Sequence, residues 1–232
     1  MNNIKEVVKE TGVKGENAKS TRYNSNIILV GEVISEFKFD HNMYGELFYR
    51  VIIKVTRISG VADELPVVVS ERIIDANENY IGKYVYVEGQ IRTYNVHKDG
   101  RSKLNIYGWA DSFKIIDEEA DYNRKENNKI ELNGFICSKP IYRKTPSGRE
   151  ITDLIIAVNR SYGRSSYIPC ISWGRNAVYM ANLDAGTPIK VTGRFQSRLF
   201  NKKINETEVE QRTAYEVSIT SFEVKKNEGE DE

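Results

Sequence analysis

The stretch Leu132-Asn133-Gly134 decides the fold, because it repeats Leu29-Val30-Gly31 at an offset of 103 residues. The same offset relates Leu154-Ile155-Ile156 to Val51-Ile52-Ile53. Further matches follow at offsets of 103, 104 and finally 109: Gly45 with Gly148, Val55 with Val158, Arg57 with Arg160, Pro66 with Pro169, Gly82 with Gly186, Gly89 with Gly193, and Ser112-Phe113 with Ser221-Phe222. A register that drifts by small insertions over about ninety residues indicates a tandem duplication.

The duplication predicts two domains, and each copy is long enough to bury a core. We expect a first domain at 24–116 and a second at 128–225, joined by a charged linker at 117–127. A polar, flexible arm at 1–23 precedes them, and a short acidic tail at 226–232 follows.

Each copy is predicted to be all-β with one short helix. In the second copy, β-branched and apolar runs bounded by turn residues predict strands at 129–139, 151–160, 167–173, 188–198 and 213–224, with a helix between the third and fourth. This is the layout of the OB fold. The fold class is therefore two tandem OB-fold five-stranded barrels, each with a short helix between strands 3 and 4. Gly134 and Gly193 fall inside strands, where the sheet must bend or bulge to close.

The composition argues against several functional classes. No apolar run approaches the roughly twenty residues that span a bilayer, so a cytoplasmic, nucleoid-associated protein without membrane contact is expected. Cys137 and Cys170 lie in apolar segments without CxxC spacing and are interpreted as buried core thiols. His41 and His97 have no evident catalytic or metal-binding partners, so we expect no enzyme, metal or cofactor.

The net charge of +1 conceals an asymmetry between the two copies. Residues 128–225 contain fifteen Lys and Arg against nine Asp and Glu, whereas residues 24–116 contain eleven against twelve. The second domain is therefore basic, as a polyanion partner requires.

Side chains alternate along a strand, so Lys190, Arg194 and Arg198 share one face of the fourth strand of the second copy. Phe200 lies on that same polar face if the strand continues, and Tyr167 and Trp173 share a face of the third strand. Unpaired nucleic acid needs this combination, because bases stack on rings while cations follow phosphates. The predicted stacking residues are Tyr162, Tyr167, Trp173 and Phe200. The predicted phosphate contacts are Arg143, Lys144, Arg149, Arg160, Arg164, Lys190, Arg194, Arg198, Lys202 and Lys203. Any single ring among them has an alternative interpretation as core or subunit interface.

The second copy resembles the bacterial single-stranded-DNA-binding protein (SSB) family. The resemblance is carried by Leu132-Asn133-Gly134, Thr145-Pro146-Ser147-Gly148, Ala157-Val158-Asn159-Arg160, Ile171-Ser172-Trp173-Gly174, the run from Val191 to Arg198, and Thr213-Ala214-Tyr215-Glu216-Val217. It implies single-stranded DNA as the partner, a role in replication, repair or recombination, and base stacking by the four rings already named.

The first copy matches the family's scaffold at Leu29-Val30-Gly31 and 87–90 but departs from it at the positions predicted to bind. The repeat offsets place Ser59, Glu64, Ser70 and Val96 where the second copy has its four rings, and Tyr86, Gln90 and Tyr94 where it has Lys190, Arg194 and Arg198. We therefore expect a mainly structural first domain, although Tyr86 and Tyr94 offer different surfaces for stacking.

The resemblance also implies a homodimer with four OB domains. The chain ends at 228–232 in an acidic run without the family's Pro-Phe tip, so contacts with replication or repair proteins are not expected to use that tip. Two alternatives stay open. One is a primosome-type OB assembly protein with weak DNA binding, and the other is an RNA-binding OB protein, because rings stack on either polymer.

Overall fold

The computed structural model describes residues 24–98, 101–117, 126–203, 205 and 209–225, without the side chains of residues 97, 98, 101, 102 and 162. The arm at 1–23, the tail at 226–232 and most of the linker at 117–127 lie outside the described residues. In the described part, no helix is both long and apolar enough to cross a membrane.

Almost all of the regular structure in the described residues is β. The strands are β1 (Ser25–Val33), β2 (Lys38–Met43), β3 (Glu46–Thr56), β4 (Ala62–Ser70), β5 (Tyr84–Lys98), β6 (Arg101–Ile116), β7 (Asn128–Ile136), β8 (Ile141–Lys144), β9 (Glu150–Asn159), β10 (Ser165–Trp173), β11 (Pro188–Lys203) and β12 (Val209–Val224). The helix α1 (Arg175–Met180) and a 3-10 turn (Ser161–Gly163) complete the set.

The chain divides into two compact units. Unit 1 contains the residues up to Ile91 together with Tyr107–Glu131, and unit 2 contains Arg92–Ile106 together with the residues from Leu132 onward. The distal part of the β5–β6 hairpin therefore belongs to unit 2, although the repeat assigns it to the first copy.

Each unit is a closed OB-fold barrel of five strands. In unit 1 the barrel runs β1, β3, β4, β6, β5 and back to β1, and β2 extends it outside β3. In unit 2 the corresponding circuit is β7, β9, β10, β12, β11 and back to β7, with β8 outside β9. Fully buried aliphatic and aromatic side chains fill the interiors, among them Ile53 and Leu65 in unit 1 and Ile156, Ile168 and Phe195 in unit 2. The all-β prediction of two OB-fold barrels is confirmed.

The strand registers reproduce the sequence repeat. Val51 opposes Val67 across β3 and β4, and their equivalents Leu154 and Cys170 oppose each other across β9 and β10. The parallel pairing of Val68 with Trp109 recurs as Ile171 with Ser218, which requires the later offset of 109. The offsets read from the sequence are therefore structural equivalences.

Two strand glycines lie where the barrel of unit 2 bends. A bulge interrupts the β11–β12 register at Thr192 and Gly193. A Cβ on Gly134 would collide with the carbonyl oxygen of Ala157 on β9, and its repeat equivalent Gly31 is equally close to the carbonyl oxygen of Lys54. These glycines permit the close backbone approach on which barrel closure depends.

The helix prediction is wrong for the first copy. In unit 2, α1 lies between β10 and β11 as expected, but residues 71–83 of unit 1 form successive turns. The reason is local competition for backbone donors: the Asp75 side chain accepts the amide N–H of Asn77, and Asn79 accepts that of Ile81. Short polar side chains of this kind favour turns over helix.

The prediction that both cysteines are core thiols is wrong for Cys137. Cys170 is buried on β10, but Cys137 is exposed because it follows directly after the end of β7 at Ile136.

Candidate nucleic-acid interface

Two of the predicted rings lie on β10 and are open to solvent. Tyr167 is 48% exposed and Trp173 is 38% exposed, whereas Ile168 and Cys170 point into the core. Strand alternation therefore places these two rings on the outer side of the barrel, as the sequence predicted.

The third ring, Phe200, lies near the far end of β11, and the strand does continue past Arg198 to Lys203. The Arg198 guanidinium carbon lies 6.0 Å from the centroid of the Phe200 ring, at the limit of a cation–π contact. Lys190 and Arg198 are exposed and Arg194 is half-buried, while Val191 and Phe195 fill the core. The side of β11 that faces away from the core is therefore cationic.

An acidic side chain that the sequence analysis did not identify lies on the same side. Glu216 on β12 is 8% exposed and accepts a hydrogen bond of 2.8 Å from Gln196 Nε2. Its Oε1 also lies 3.6 Å from Arg198 Nε. Strand alternation alone could not show this, because it depends on the β11–β12 register, in which Glu216 is opposite Gln196. Glu216 therefore forms an ion pair with Arg198 on this side of the barrel.

Arg143 on β8 forms an ion pair with Asp153 on β9. Its Nε lies 2.5 Å from Asp153 Oδ2 and its Nη2 lies 3.2 Å from Asp153 Oδ1. The hydrogen bonding that Arg143 donates to Asp153, together with the negative charges of Asp153 and Glu216, raises the pKa of Arg143 against the opposing effect of burial. A phosphate would have to compete with Asp153 for this guanidinium.

Arg160 contrasts with its repeat equivalent, Arg57. Nε and Nη2 of Arg57 each lie 2.6 Å from a carboxylate oxygen of the buried Asp63. This hydrogen bonding raises the pKa of Arg57. In unit 2 the position of Asp63 is taken by Ser166, whose buried hydroxyl has no hydrogen-bond partner in the described structure. The second copy thus has a serine in place of the carboxylate that pairs with Arg57 in the first copy.

The other predicted residues lie on hairpins and turns of unit 2. Lys144, Arg149, Arg164, Lys202 and Lys203 are exposed, and Arg160 is half-buried. Arg160 and Arg164 flank the 3-10 turn and are joined by a 2.8 Å backbone hydrogen bond. Tyr162 lies within that turn, and its side chain is outside the described set.

Unit 1 carries a different surface at the equivalent positions. Ser70, which corresponds to Trp173, is buried and its hydroxyl donates to Glu46. Gln90, which corresponds to Arg194, is buried beside Asp111. Tyr107 and Trp109 replace Glu216 and Ser218 and pack with Phe48, whose ring lies 4.6 Å from that of Trp109. At these positions of unit 1, the aromatic rings are therefore packed against one another.

Tyr86, the equivalent of Lys190, is half-buried in unit 1. Burial and the charge of Glu88 raise the pKa of its hydroxyl to about 12, so the ring stays neutral at physiological pH. Among the described residues, no three His, Cys, Asp or Glu side chains are grouped to hold a metal ion.

The fold and the site together define a protein of two OB-fold barrels, of which the second carries exposed rings and cations on one side. Residues 127–225 match the profile of the Single-strand binding protein family. Single-stranded DNA-binding protein A of Bacillus subtilis (strain 168) is 32% identical over 83 residues, which cover 33% of this chain and 48% of that protein. The Single-stranded DNA-binding protein of Oceanobacillus iheyensis is 32% identical over 87 residues, covering 34% and 54%. The chain thus spans about half the length of these curated relatives.

The likeness to solved structures extends over both units. The crystal structure of the wild-type single-stranded DNA binding protein from Thermus aquaticus has a TM-score of 0.68 to this chain at 20% identity, and the match covers 89% of this chain and 95% of that one. A deletion mutant of the same protein has a TM-score of 0.66 at 21% identity, covering 92% and 100%. At this level of identity the comparison establishes the fold alone.

Proposed function

We propose that this protein binds single-stranded DNA through unit 2 with little dependence on base sequence. The observation that carries the proposal is the pair of rings on β10, Tyr167 and Trp173, which are 48% and 38% exposed on the outer side of a barrel. Large rings are normally buried, and exposed rings beside cations provide surfaces on which bases stack. The match of residues 127–225 to the Single-strand binding protein family supports the same function.

Stacking and charge contribute separately to the proposed binding. Each base on a ring is worth roughly 1–3 kcal/mol, and any base provides a face for it. The cations of β11 and its hairpin, Lys190, Arg194, Arg198, Lys202 and Lys203, neutralise phosphates. The logarithm of the affinity should then fall with the logarithm of salt concentration by about 0.7 for each phosphate neutralised. Arg160 joins this set more readily than Arg143, since Arg143 is paired with Asp153.

We assign unit 1 a mainly structural role, with at most weak DNA contact. Its buried Ser70 and Gln90 stand where unit 2 has Trp173 and Arg194, and its rings pack on one another. The proposed assembly is a homodimer, so four OB barrels would carry two well-equipped sites. The function is that of a binding protein in replication, repair or recombination rather than of an enzyme.

The test is Trp173→Ala in the full-length protein, titrated with labelled oligo-dT and followed by fluorescence anisotropy, which does not depend on tryptophan. Loss of the stacked base should weaken binding by about 1–3 kcal/mol, roughly 5- to 150-fold. Tyr44→Ala is the matched control, because Tyr44 is 99% exposed in the β2–β3 turn of unit 1 and should not affect binding.

Equal affinities of wild type and Trp173→Ala for oligo-dT would contradict the proposed site. Matched DNA and RNA strands in parallel titrations separate a DNA binder from an RNA binder, since tighter binding of the RNA strand would reassign the partner. Micromolar or weaker DNA binding by the full-length protein at physiological salt would favour the assembly role instead.

A further inference from the structure

One segment of unit 2 comes from the first sequence copy. Arg92–Ile106, the distal part of the β5–β6 hairpin, belongs to unit 2. The backbone N–H of Tyr167 donates a 3.0 Å hydrogen bond to Thr93 Oγ1 in this segment. A ring that we assign to base stacking is therefore joined to a residue outside the second sequence copy.

This hydrogen bond forms at a part of β10 that lies outside its described pairing with β12. β10 pairs with β9 along its whole length, whereas its described pairing with β12 covers only Cys170 and Ile171. Tyr167 lies three residues before that pairing, near the start of the strand. The Tyr167 amide is therefore bonded by a side chain of the hairpin, which adds a restraint on Tyr167 to its pairing with Ala157 of β9.

We propose that Thr93, on the β5–β6 hairpin, positions the Tyr167 ring of the nucleic-acid surface of unit 2. The inference rests on the proposed function of unit 2. Thr93 acts as a positioning residue: holding the Tyr167 backbone reduces the ordering that the ring would otherwise undergo when a base stacks on it.

The inference is tested with full-length Thr93→Val, which keeps the shape of the side chain but removes the hydroxyl acceptor. The Tyr167 amide should then exchange hydrogen faster, and affinity for oligo-dT should fall about three- to tenfold, the size expected for one lost hydrogen bond. Thr93→Ser restores the hydroxyl and should restore both readouts. Thr213→Val is the matched control, because Thr213 is exposed on β12 opposite Leu199, on the side away from Arg198.

A double-mutant cycle separates positioning from a general loss of stability. If Thr93 acts through the Tyr167 ring, Thr93→Val should cost nothing further in a Tyr167→Ala background. Additive losses would overturn the positioning role, as would a wild-type affinity of Thr93→Val for oligo-dT.

Trp173→Ala, measured in the same series, separates a failure of the hairpin inference from a failure of the proposed function. If Trp173→Ala weakens binding and Thr93→Val does not, the hairpin inference fails while the proposed function stands. If neither variant changes the affinity, the proposed site on unit 2 fails as well.

Discussion

At the scale of single residues, the two thiols of unit 2 lie in contrasting environments. Cys137 is exposed, whereas Cys170 is buried between β9 and β12. Burial, and to a lesser extent the negative charge of Glu216, raises the pKa of the Cys170 thiol above its usual range. The thiolate is the reactive form, so a thiol with a raised pKa stays protonated and inert at mildly alkaline pH.

We therefore expect an alkylating reagent at about pH 8 to label one cysteine per native chain, with Cys170 reacting only after unfolding. Mass spectrometry of native and denatured samples measures this directly. Cys137→Ser should abolish native labelling, and rapid labelling of that variant would show that Cys170 is accessible.

Gly134 is one of the glycines at which two strands of the second barrel approach too closely for a side chain. Gly134→Ala should destabilise the protein by about 1–3 kcal/mol, because the new Cβ would meet the backbone of Ala157 and the barrel would have to open slightly. Gly108→Ala is the control, since its Cβ would lie 3.4 Å from the flexible end of Val67. Urea unfolding compares the two, and a Gly134→Ala midpoint at or above that of Gly108→Ala would refute the explanation.

Strand alternation was enough to place Tyr167 and Trp173 on the outer side of the barrel from sequence alone. It could not show that Arg143 is already paired with Asp153, or that Glu216 lies beside Arg198. Those contacts depend on which strands are neighbours and in what register, and a single strand's periodicity contains neither.

At the scale of elements, the hairpins β2–β3 and β8–β9 carry the same ion pair with its charges exchanged. Asp40 on β2 pairs with Arg50 on β3 at 2.5 Å, and at the equivalent positions Arg143 on β8 pairs with Asp153 on β9. The cross-hairpin contact is present in both units, with its cation on β3 in unit 1 and on the outer strand β8 in unit 2. An outer cation is better placed to meet a phosphate.

Asp153→Asn should release Arg143 and tighten oligo-dT binding at low salt by roughly two- to fivefold, the range of an exposed ion pair. Asp184→Asn is the matched control: it changes the net charge equally but removes only the exposed contact with Lys139. Equal gains in the two variants would show a long-range charge effect, and no gain would exclude Arg143 from the phosphate contacts.

The sequence predicts the positions of the barrel strands better than it predicts where those strands end. Apolar and β-branched runs located the barrel strands of the second copy, but β11 extends past the expected end at 198 to Lys203, and β12 begins at Val209 rather than at 213. The backbone pairing of β11 with β12 extends beyond the core through polar residues. Hydrophobic periodicity predicts only the part of a strand that borders the core, so it does not locate this extension. The short strand β8, whose four residues are all exposed, was missed for the same reason.

At the scale of the whole molecule, the fold occurs twice, but exposed rings beside cations occur at the predicted positions in unit 2 and are absent from their equivalents in the described part of unit 1. The barrels share their strand circuit, their registers and their closing glycines. They differ on the outer side, where unit 1 buries Ser70 and Gln90 and unit 2 presents Trp173 and Arg194. Sequence offsets alone predicted this difference, because equivalent positions could be compared within one chain.

The central claim is that each chain has one working face, and stoichiometry tests it most directly. Native mass spectrometry of the full-length protein with excess oligo-dT, kept short enough to fit a single OB barrel at roughly eight nucleotides, counts the strands bound. We predict one strand per chain, and therefore two per homodimer. Two strands per chain, bound with similar affinity, would contradict the claim.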